Sequence, residues 1–251
     1  MSYPGAVAQR TPERPAIVLA GTGEAVSYRE LDERINRLSH VLRSRGLEPG
    51  DGIAIYCENH PRFHEVAWAA QLSGLCYTAV NSHLTADEAA YIVNDCGATV
   101  LVSSAALAPV AGKLTPDVTP NVHSRLMLDD AVAGWESYEE LVGAQPSTPI
   151  ADRSEGDFVL YSSGTTGLPK GIKRPLTFAP PGEKPDATVA FLQMLGFVDG
   201  DVYLSPAPLY HAAPLAWTMG VQRLGGTVVV MERFDPAVAL ELVERYQITH
   251  S

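Results

Sequence analysis

The chain has 251 residues, 46% of them hydrophobic, with 18 Lys and Arg against 29 Asp and Glu for a net charge of −11. That content supports one large domain or two small ones with a sizeable core, while so acidic a chain is a poor candidate for general nucleic-acid binding, which relies on basic surface. The three cysteines, Cys57, Cys76 and Cys96, are odd in number and far apart, so they indicate neither a disulfide framework nor a zinc site and read as buried thiols.

The opening residues, Met1-Ser2-Tyr3-Pro4-Gly5, lack the basic and apolar regions of a signal peptide. No apolar run is long enough to span a bilayer, so the expectation is a cytoplasmic protein without a transmembrane segment. Residues 27–45 read as an amphipathic helix: Ser27 and Glu30 form a capping box, Leu31, Ile35, Leu38 and Leu42 share a face, and Gly46 ends it. Residues 52–57 read as a buried strand, Pro61 opens a helix to about residue 72, and residues 76–80 read as a second strand. Thr85 and Glu88 form another capping box for a helix to Cys96, and residues 98–102 follow as a third strand.

Strands alternating with helices argue for an α/β fold of layered, mostly parallel sheets flanked by helices. Residues 1–108 are expected to form a first α/β subdomain. Residues 109–157, rich in Pro, Thr, Ser and Asp with one helix near 137–142, read as an irregular connection. A second α/β subdomain over 158–251 would hold strands at 158–161, 202–205 and 227–231 and helices near 187–195 and 215–224. Asp235 with Pro236 starts a further helix to about Tyr246. Residues 248–251 then read as the beginning of a strand, so the second subdomain is expected to be truncated. His60 and His64 are spaced i, i+4, but Pro61 stands where a zinc-protease motif needs Glu, so they read as a solvated helix face.

The segment richest in chemistry is Tyr161-Ser162-Ser163-Gly164-Thr165-Thr166-Gly167-Leu168-Pro169-Lys170-Gly171. Glycines let backbone N–H groups approach a ligand, hydroxyls donate, and the lysine adds a positive charge, a composition suited to polyphosphate. The nearest general motif is the Walker A loop, and Lys170 is placed as that motif requires. Pro169, however, has no N–H to offer, and Gly171 replaces the Ser/Thr that would bind Mg²⁺. Pro175 also disfavours a helix at Arg174. A P-loop-type NTPase or kinase remains an alternative, as does a non-catalytic binding module. Lys170, Lys173 and Arg174 form the densest positive cluster in the chain.

Ser162 to Gly171 resembles the signature loop of the adenylate-forming superfamily: acyl- and aryl-CoA synthetases, peptide-synthetase adenylation domains and firefly luciferase. The likeness extends along the chain. Thr11-Pro12-Glu13-Arg14-Pro15, Val26-Ser27-Tyr28-Arg29-Glu30-Leu31 and Gly46-Leu47-Glu48-Pro49-Gly50-Asp51 resemble the family's opening. Gly74-Leu75-Cys76-Tyr77, Pro208-Leu209-Tyr210-His211-Ala212 and Phe234-Asp235-Pro236 resemble later blocks, and the acyl-CoA synthetase branch fits best. The resemblance implies part of the large N-terminal domain of an acyl-CoA synthetase-like fold.

The implied reaction joins a carboxylic acid, here a fatty acid, to ATP to give an acyl-adenylate and pyrophosphate, then to coenzyme A to give acyl-CoA and AMP. The same resemblance implies that Ser162, Ser163, Thr165, Thr166 and Lys170 contact ATP phosphates, that Gly164 and Gly167 allow close approach, and that the Ser162 hydroxyl touches Mg²⁺. His211 would lie beside the acyl carboxylate, making His211 and Lys170 the expected catalytic residues. Ala212 and Ala213, with Leu215 and Trp217 behind, would line an apolar pocket or pack a core. The chain departs from the family at Lys173-Arg174-Pro175, where many members carry a Ser-His pair. The family's adenine-pocket blocks, its Y-G-x-T-E glutamate, its hinge and its C-terminal lysine are not in these residues, which are therefore expected to be inactive alone.

Overall fold

The structure is a computed structural model and describes residues 2–162, 169–183 and 185–251. In chain order its elements are α1 (Pro4–Ala8), β1 (Pro15–Leu19), β2 (Ala25–Ser27), α2 (Tyr28–Ser44), β3 (Gly52–Tyr56), α3 (Phe63–Leu72), β4 (Cys76–Val80), α4 (Ala86–Asp95) and β5 (Ala98–Ser104). A 3₁₀ turn at Ala105–Leu107 leads to α5 (Ala108–Ala111), β6 (Ser124–Leu128), β7 (Glu136–Ser137), α6 (Tyr138–Gly143), β8 (Asp157–Phe158), β9 (Leu160–Ser162) and β10 (Lys170–Ile172). The chain continues through α7 (Ala187–Met194), β11 (Val202–Ser205), α8 (Ala212–Leu224), β12 (Thr227–Val230) and α9 (Pro236–Arg245).

Local chemistry sets many of these limits. At α2, the Ser27 N–H donates to Glu30 Oε2 at 2.8 Å and the Glu30 N–H returns to Ser27 Oγ at 3.2 Å. Thr85 and Glu88 form the same reciprocal pair at α4. Each satisfies N–H groups that a helix end leaves without partners. Asp235 caps α9 through the N–H groups of Ala237 and Val238, and Gly225 ends α8 at φ 89°, where a Cβ would be strained.

The chain divides into two compact units. One comprises Met1–Arg34, Asn59–His64 and Pro181–Ser251, the other Ile35–Glu58 and Glu65–Pro180. The second holds a six-stranded sheet of order β7-β6-β5-β3-β4-β8, parallel throughout. All five residues of β3 are buried, as a central strand covered on both faces requires. Ala54, Leu101 and Met127 of the sheet pack with Ala89, Ile92 and Val93 of α4. Cys57 and Cys76 are buried free thiols, and burial raises the pKa of both.

The first unit holds a four-stranded sheet of order β11-β12-β1-β2, parallel except for β1 against β2. Ile17 of β1 faces Val228 of β12, so residues from opposite ends of the sequence share one sheet. Its core gathers Val18, Leu204, Val229, Met231 and Leu242. Among the described residues no helix is long and apolar enough to cross a membrane.

Three expectations change. The compact units do not follow the division into 1–108, 109–157 and 158–251, because β1 and β2 pair in the sheet of β11 and β12. The supposed irregular connection contains β6, a fully buried strand beside β5. Its Arg125 hides there because its guanidinium donates to the carbonyls of Leu114, Thr119 and Val122, a contact invisible to sequence patterning. The apolar run 158–161 is also divided between β8, on the six-stranded sheet, and β9, which leaves that sheet to pair with β10. The strand start expected at 248–251 appears as a single parallel bridge between His250 and Tyr203.

Candidate functional site

The glycine-rich segment joins two strands that pair with each other. β9 and β10 are antiparallel, with Ser162 opposite Lys170, Tyr161 opposite Gly171 and Leu160 opposite Ile172. The sequence thus closes a hairpin, and a strand, not a helix, follows Lys170. A Walker loop requires a helix N-terminus behind its lysine, so the P-loop NTPase alternative is set aside.

Gly171 now has a structural reason. A Cβ there would lie 2.9 Å from the Tyr161 ring, so the tyrosine can cross the hairpin only over a glycine. Two residues of α4, one turn apart on the same face, hold the stem. The Tyr161 hydroxyl donates to Asp95 Oδ2 at 2.6 Å, and the Tyr91 hydroxyl donates to the Pro169 carbonyl at 3.0 Å. Partial burial, reinforced by Asp95, pushes the Tyr161 pKa far up, so its hydroxyl stays a donor.

Lys170 opens β10, is exposed, and has no ion pair with a described residue. Its neighbours are engaged otherwise. Arg174 pairs with Asp157 at 2.8 Å and lies 4.4 Å from the centroid of the Phe158 ring. The Lys173 ammonium donates to the Gly50 carbonyl at 3.4 Å. The cluster therefore splits, with Arg174 committed to the edge of the six-stranded sheet. Ser163, Gly164, Thr165, Thr166 and Gly167 lie outside the described residues, as does the side chain of Ser162 on which the Mg²⁺ expectation rests. No group of three or more His, Cys, Asp or Glu among the described residues could hold a metal ion.

His211 belongs to the other unit and is considered by itself. It is the N-cap of α8, with extended backbone (φ −83°, ψ 147°) and no side-chain capping bond. The ring is exposed and its centroid lies 4.5 Å from that of Tyr210. The helix begins at Ala212, three residues earlier than expected, since Pro214 in the first turn forfeits no helical hydrogen bond. That turn carries no acidic residue, leaving the partial positive charge of the helix end uncancelled.

The segment leading to His211 is held by a residue that sequence reasoning missed. Asn59 is 7% exposed. Its Nδ2 donates to the carbonyls of Met231 at 2.8 Å and Ala207 at 3.2 Å, and its Oδ1 accepts from the Leu209 N–H at 2.7 Å. Stranding buried backbone groups costs about 1–3 kcal/mol each, so the amide is a strong local constraint. The only sequence signal was an Asn just past a buried strand.

Two other expectations resolve toward packing. Trp217 lies in an aromatic group with Phe191, Phe197 and Tyr203, at centroid distances of 6.0, 6.3 and 6.3 Å. Leu215 is buried. His64 is not on a solvated face: it is fully buried, its Nε2 lies 2.8 Å from Thr218 Oγ1, and burial pushes its pKa down to about 3. His60 precedes α3, and its Nδ1 accepts from the Arg62 N–H at 3.0 Å.

Comparison with known proteins bears on the family and the fold. The family model described as AMP-binding enzyme matches residues 6–251. A fatty acid–[acyl-carrier-protein] ligase, ScoC of Streptomyces coeruleorubidus, is 30% identical over 250 residues, covering 96% of this chain and 45% of that protein. A feruloyl-CoA synthase of an Amycolatopsis species is 31% identical over 251 residues, covering 99% of this chain and 47% of its own. The chain thus spans less than half the length of these curated relatives. The inhibitor-bound N-terminal domain of FACL13 from Mycobacterium tuberculosis superposes with a TM-score of 0.83 at 24% identity, covering 99% of this chain and 62% of that one. It establishes the shared fold.

Proposed function

The chain belongs to the AMP-binding enzyme family, and from that premise we propose that it supplies the phosphate-binding and acid-binding parts of an ATP-dependent acid–CoA ligase. The observation that carries the reading is the hairpin. Its stem fixes Lys170 at one end of a hydroxyl- and glycine-rich segment, with a strand where a nucleotide hydrolase would have a helix.

Carboxylates acylate poorly because oxide is a poor leaving group. In the proposed first step a carboxylate oxygen attacks the α-phosphorus of ATP and the bond to pyrophosphate breaks. In the second, the thiol of coenzyme A attacks the acyl carbonyl and AMP leaves. Negative charge builds on the departing phosphates, where fixed donors and cations stabilise it best. Lys170 supplies the cation, Ser163, Thr165 and Thr166 the donors, and Gly164 and Gly167 the close approach. Oxygen donors of this kind suit Mg²⁺, which when bound neutralises phosphate charge, and the Ser162 hydroxyl is the group we assign to it. His211, exposed at the positive end of α8, is assigned to orient the acid's carboxylate.

The names of the two relatives couple an acid to different carriers, acyl carrier protein in one and CoA in the other. We assign a fatty acid as substrate and CoA as acceptor, in the cytoplasm, where ATP and reduced thiols occur together. The 251 residues assayed alone are expected to be inactive. The test uses the complete gene product with ATP, Mg²⁺ and acids of graded chain length, with ferulate included. Pyrophosphate release that needs an acid, with thioester formed on CoA, is expected. ATP hydrolysis indifferent to acid would overturn the reading, and thioester on acyl carrier protein alone would change the acceptor.

A further inference from the structure

The stretch between β11 and α8 makes a backbone bond of its own, from the His211 N–H to the Pro208 carbonyl at 3.2 Å, which closes the turn but does not tie it to the sheet. Pro206 and Pro208 carry no N–H, so Leu209 supplies the first free backbone donor after Ala207. One backbone bond, from the Met231 N–H to the Ser205 carbonyl at 3.0 Å, ties the start of the stretch to the end of β12. Beyond it, Asn59 provides the side-chain anchors, binding Ala207 and Leu209 on the stretch and Met231 beyond β12. His211 follows two residues later. Its side chain makes no capping bond and its ring centroid lies 4.5 Å from that of Tyr210, so the course of the backbone through residues 207–211 sets the position from which the imidazole reaches out.

We propose that Asn59 is a positioning residue for His211, its amide fixing residues 207–209 and so the direction in which the imidazole leaves the turn. The inference rests on the role assigned above to His211. The residue type follows from the bonds. One side chain must donate twice and accept once within a buried space, which a carboxylate cannot do because it has no donor, and which a hydroxyl cannot do because it has only one. Glutamine has the right groups on a stem one carbon too long.

The experiment compares His211→Ala, Asn59→Ala, Asn59→Asp and the double variant Asn59→Ala/His211→Ala in the complete gene product. Acid-dependent pyrophosphate release, the KM values for acid and ATP, and the melting temperature are all measured. Small displacements of a reacting group cost tenfold or more in rate. Asn59→Ala is therefore expected to lower kcat/KM for the acid about tenfold while the KM for ATP stays within about twofold. Because Asn59 acts through His211, the double variant should be no slower than His211→Ala alone. Asn59→Asp supplies a second readout, useful if Asn59→Ala folds poorly. Buried against two carbonyls its carboxyl has a raised pKa, so at lower pH it protonates and regains a donor. Its activity relative to wild type should rise as pH falls. Multiplicative losses in the double variant, an unchanged acid kcat/KM in Asn59→Ala, or a flat Asn59→Asp ratio would each overturn the proposal. A His211→Ala variant with full activity would instead overturn the role of His211 itself, and the inference with it.

Discussion

The hairpin stem of β9 and β10 and the turn into α8 hold their key residues by opposite means. At the hairpin the anchors are near the surface: two tyrosine hydroxyls, bound at 2.6 and 3.0 Å, and a ring lying across a glycine. At the turn the anchor is a single buried amide that reaches across the sequence from position 59 to positions 207, 209 and 231. The first arrangement leaves the chemistry in a contiguous motif. The second places one exposed imidazole through a residue about 150 positions away, a separation no local pattern records.

If the contrast is sound, the largest effect should come from charge at the hairpin. Lys170→Ala is expected to slow acid-dependent pyrophosphate release about 100-fold, ~2.7 kcal/mol of transition-state stabilisation, with Lys170→Arg recovering part of it. A loss below threefold would remove Lys170 from the phosphate site.

Acid should discriminate between the two regions next. His64 has a folded pKa of about 3, below the ordinary histidine value near 6.5. Between those values the unfolded chain binds the extra proton, so this contribution to stability is complete above about pH 6.5 and is lost as pH falls toward 3. His64 alone predicts ~2 kcal/mol less stability at pH 5 than at pH 8. Hydrogen exchange should show α8 loosening with acid before the hairpin does. His64→Gln, which keeps a partner for Thr218, should flatten that dependence, and an unchanged acid limb would reject the assignment.

The glycine under the ring comes third. Gly171→Ala forces a Cβ to within 2.9 Å of Tyr161, and overpacking of this kind costs about 1–3 kcal/mol. The loss should appear in the melting temperature and shrink when Tyr161 is itself replaced by Ala. The smallest effect belongs to the stem bonds. Tyr91→Phe and Tyr161→Phe each remove one partly exposed hydrogen bond worth about 1 kcal/mol. Each should raise the KM for ATP a few-fold while leaving the KM for the acid alone. A change in the acid's KM instead would blur the division of labour.

How much of this was legible beforehand depended on the distance over which each feature is encoded. The capping boxes Ser27/Glu30 and Thr85/Glu88, the alternation of strands and helices, and the departure from a Walker loop at Pro169 and Gly171 are all written within a few residues. So was the family, because the loop and its flanking blocks are contiguous. By contrast, β6 stayed hidden because its buried Arg125 contradicts the apolar pattern until the carbonyls that satisfy it are seen. His64 looked solvated because nothing next to it in sequence says that Thr218 covers it.

The sequence by itself determined the capped starts of α2, α4 and α9, the α/β class and the motif, since hydrogen-bond capping, hydrophobic periodicity and glycine-rich loop chemistry act between neighbours. Only the tertiary structure decided that the two ends of the chain share a sheet, that Gly171 lies beneath Tyr161, and that Asn59 holds the approach to His211. Those are pairings between distant residues, set by which buried groups satisfy one another once the chain has folded.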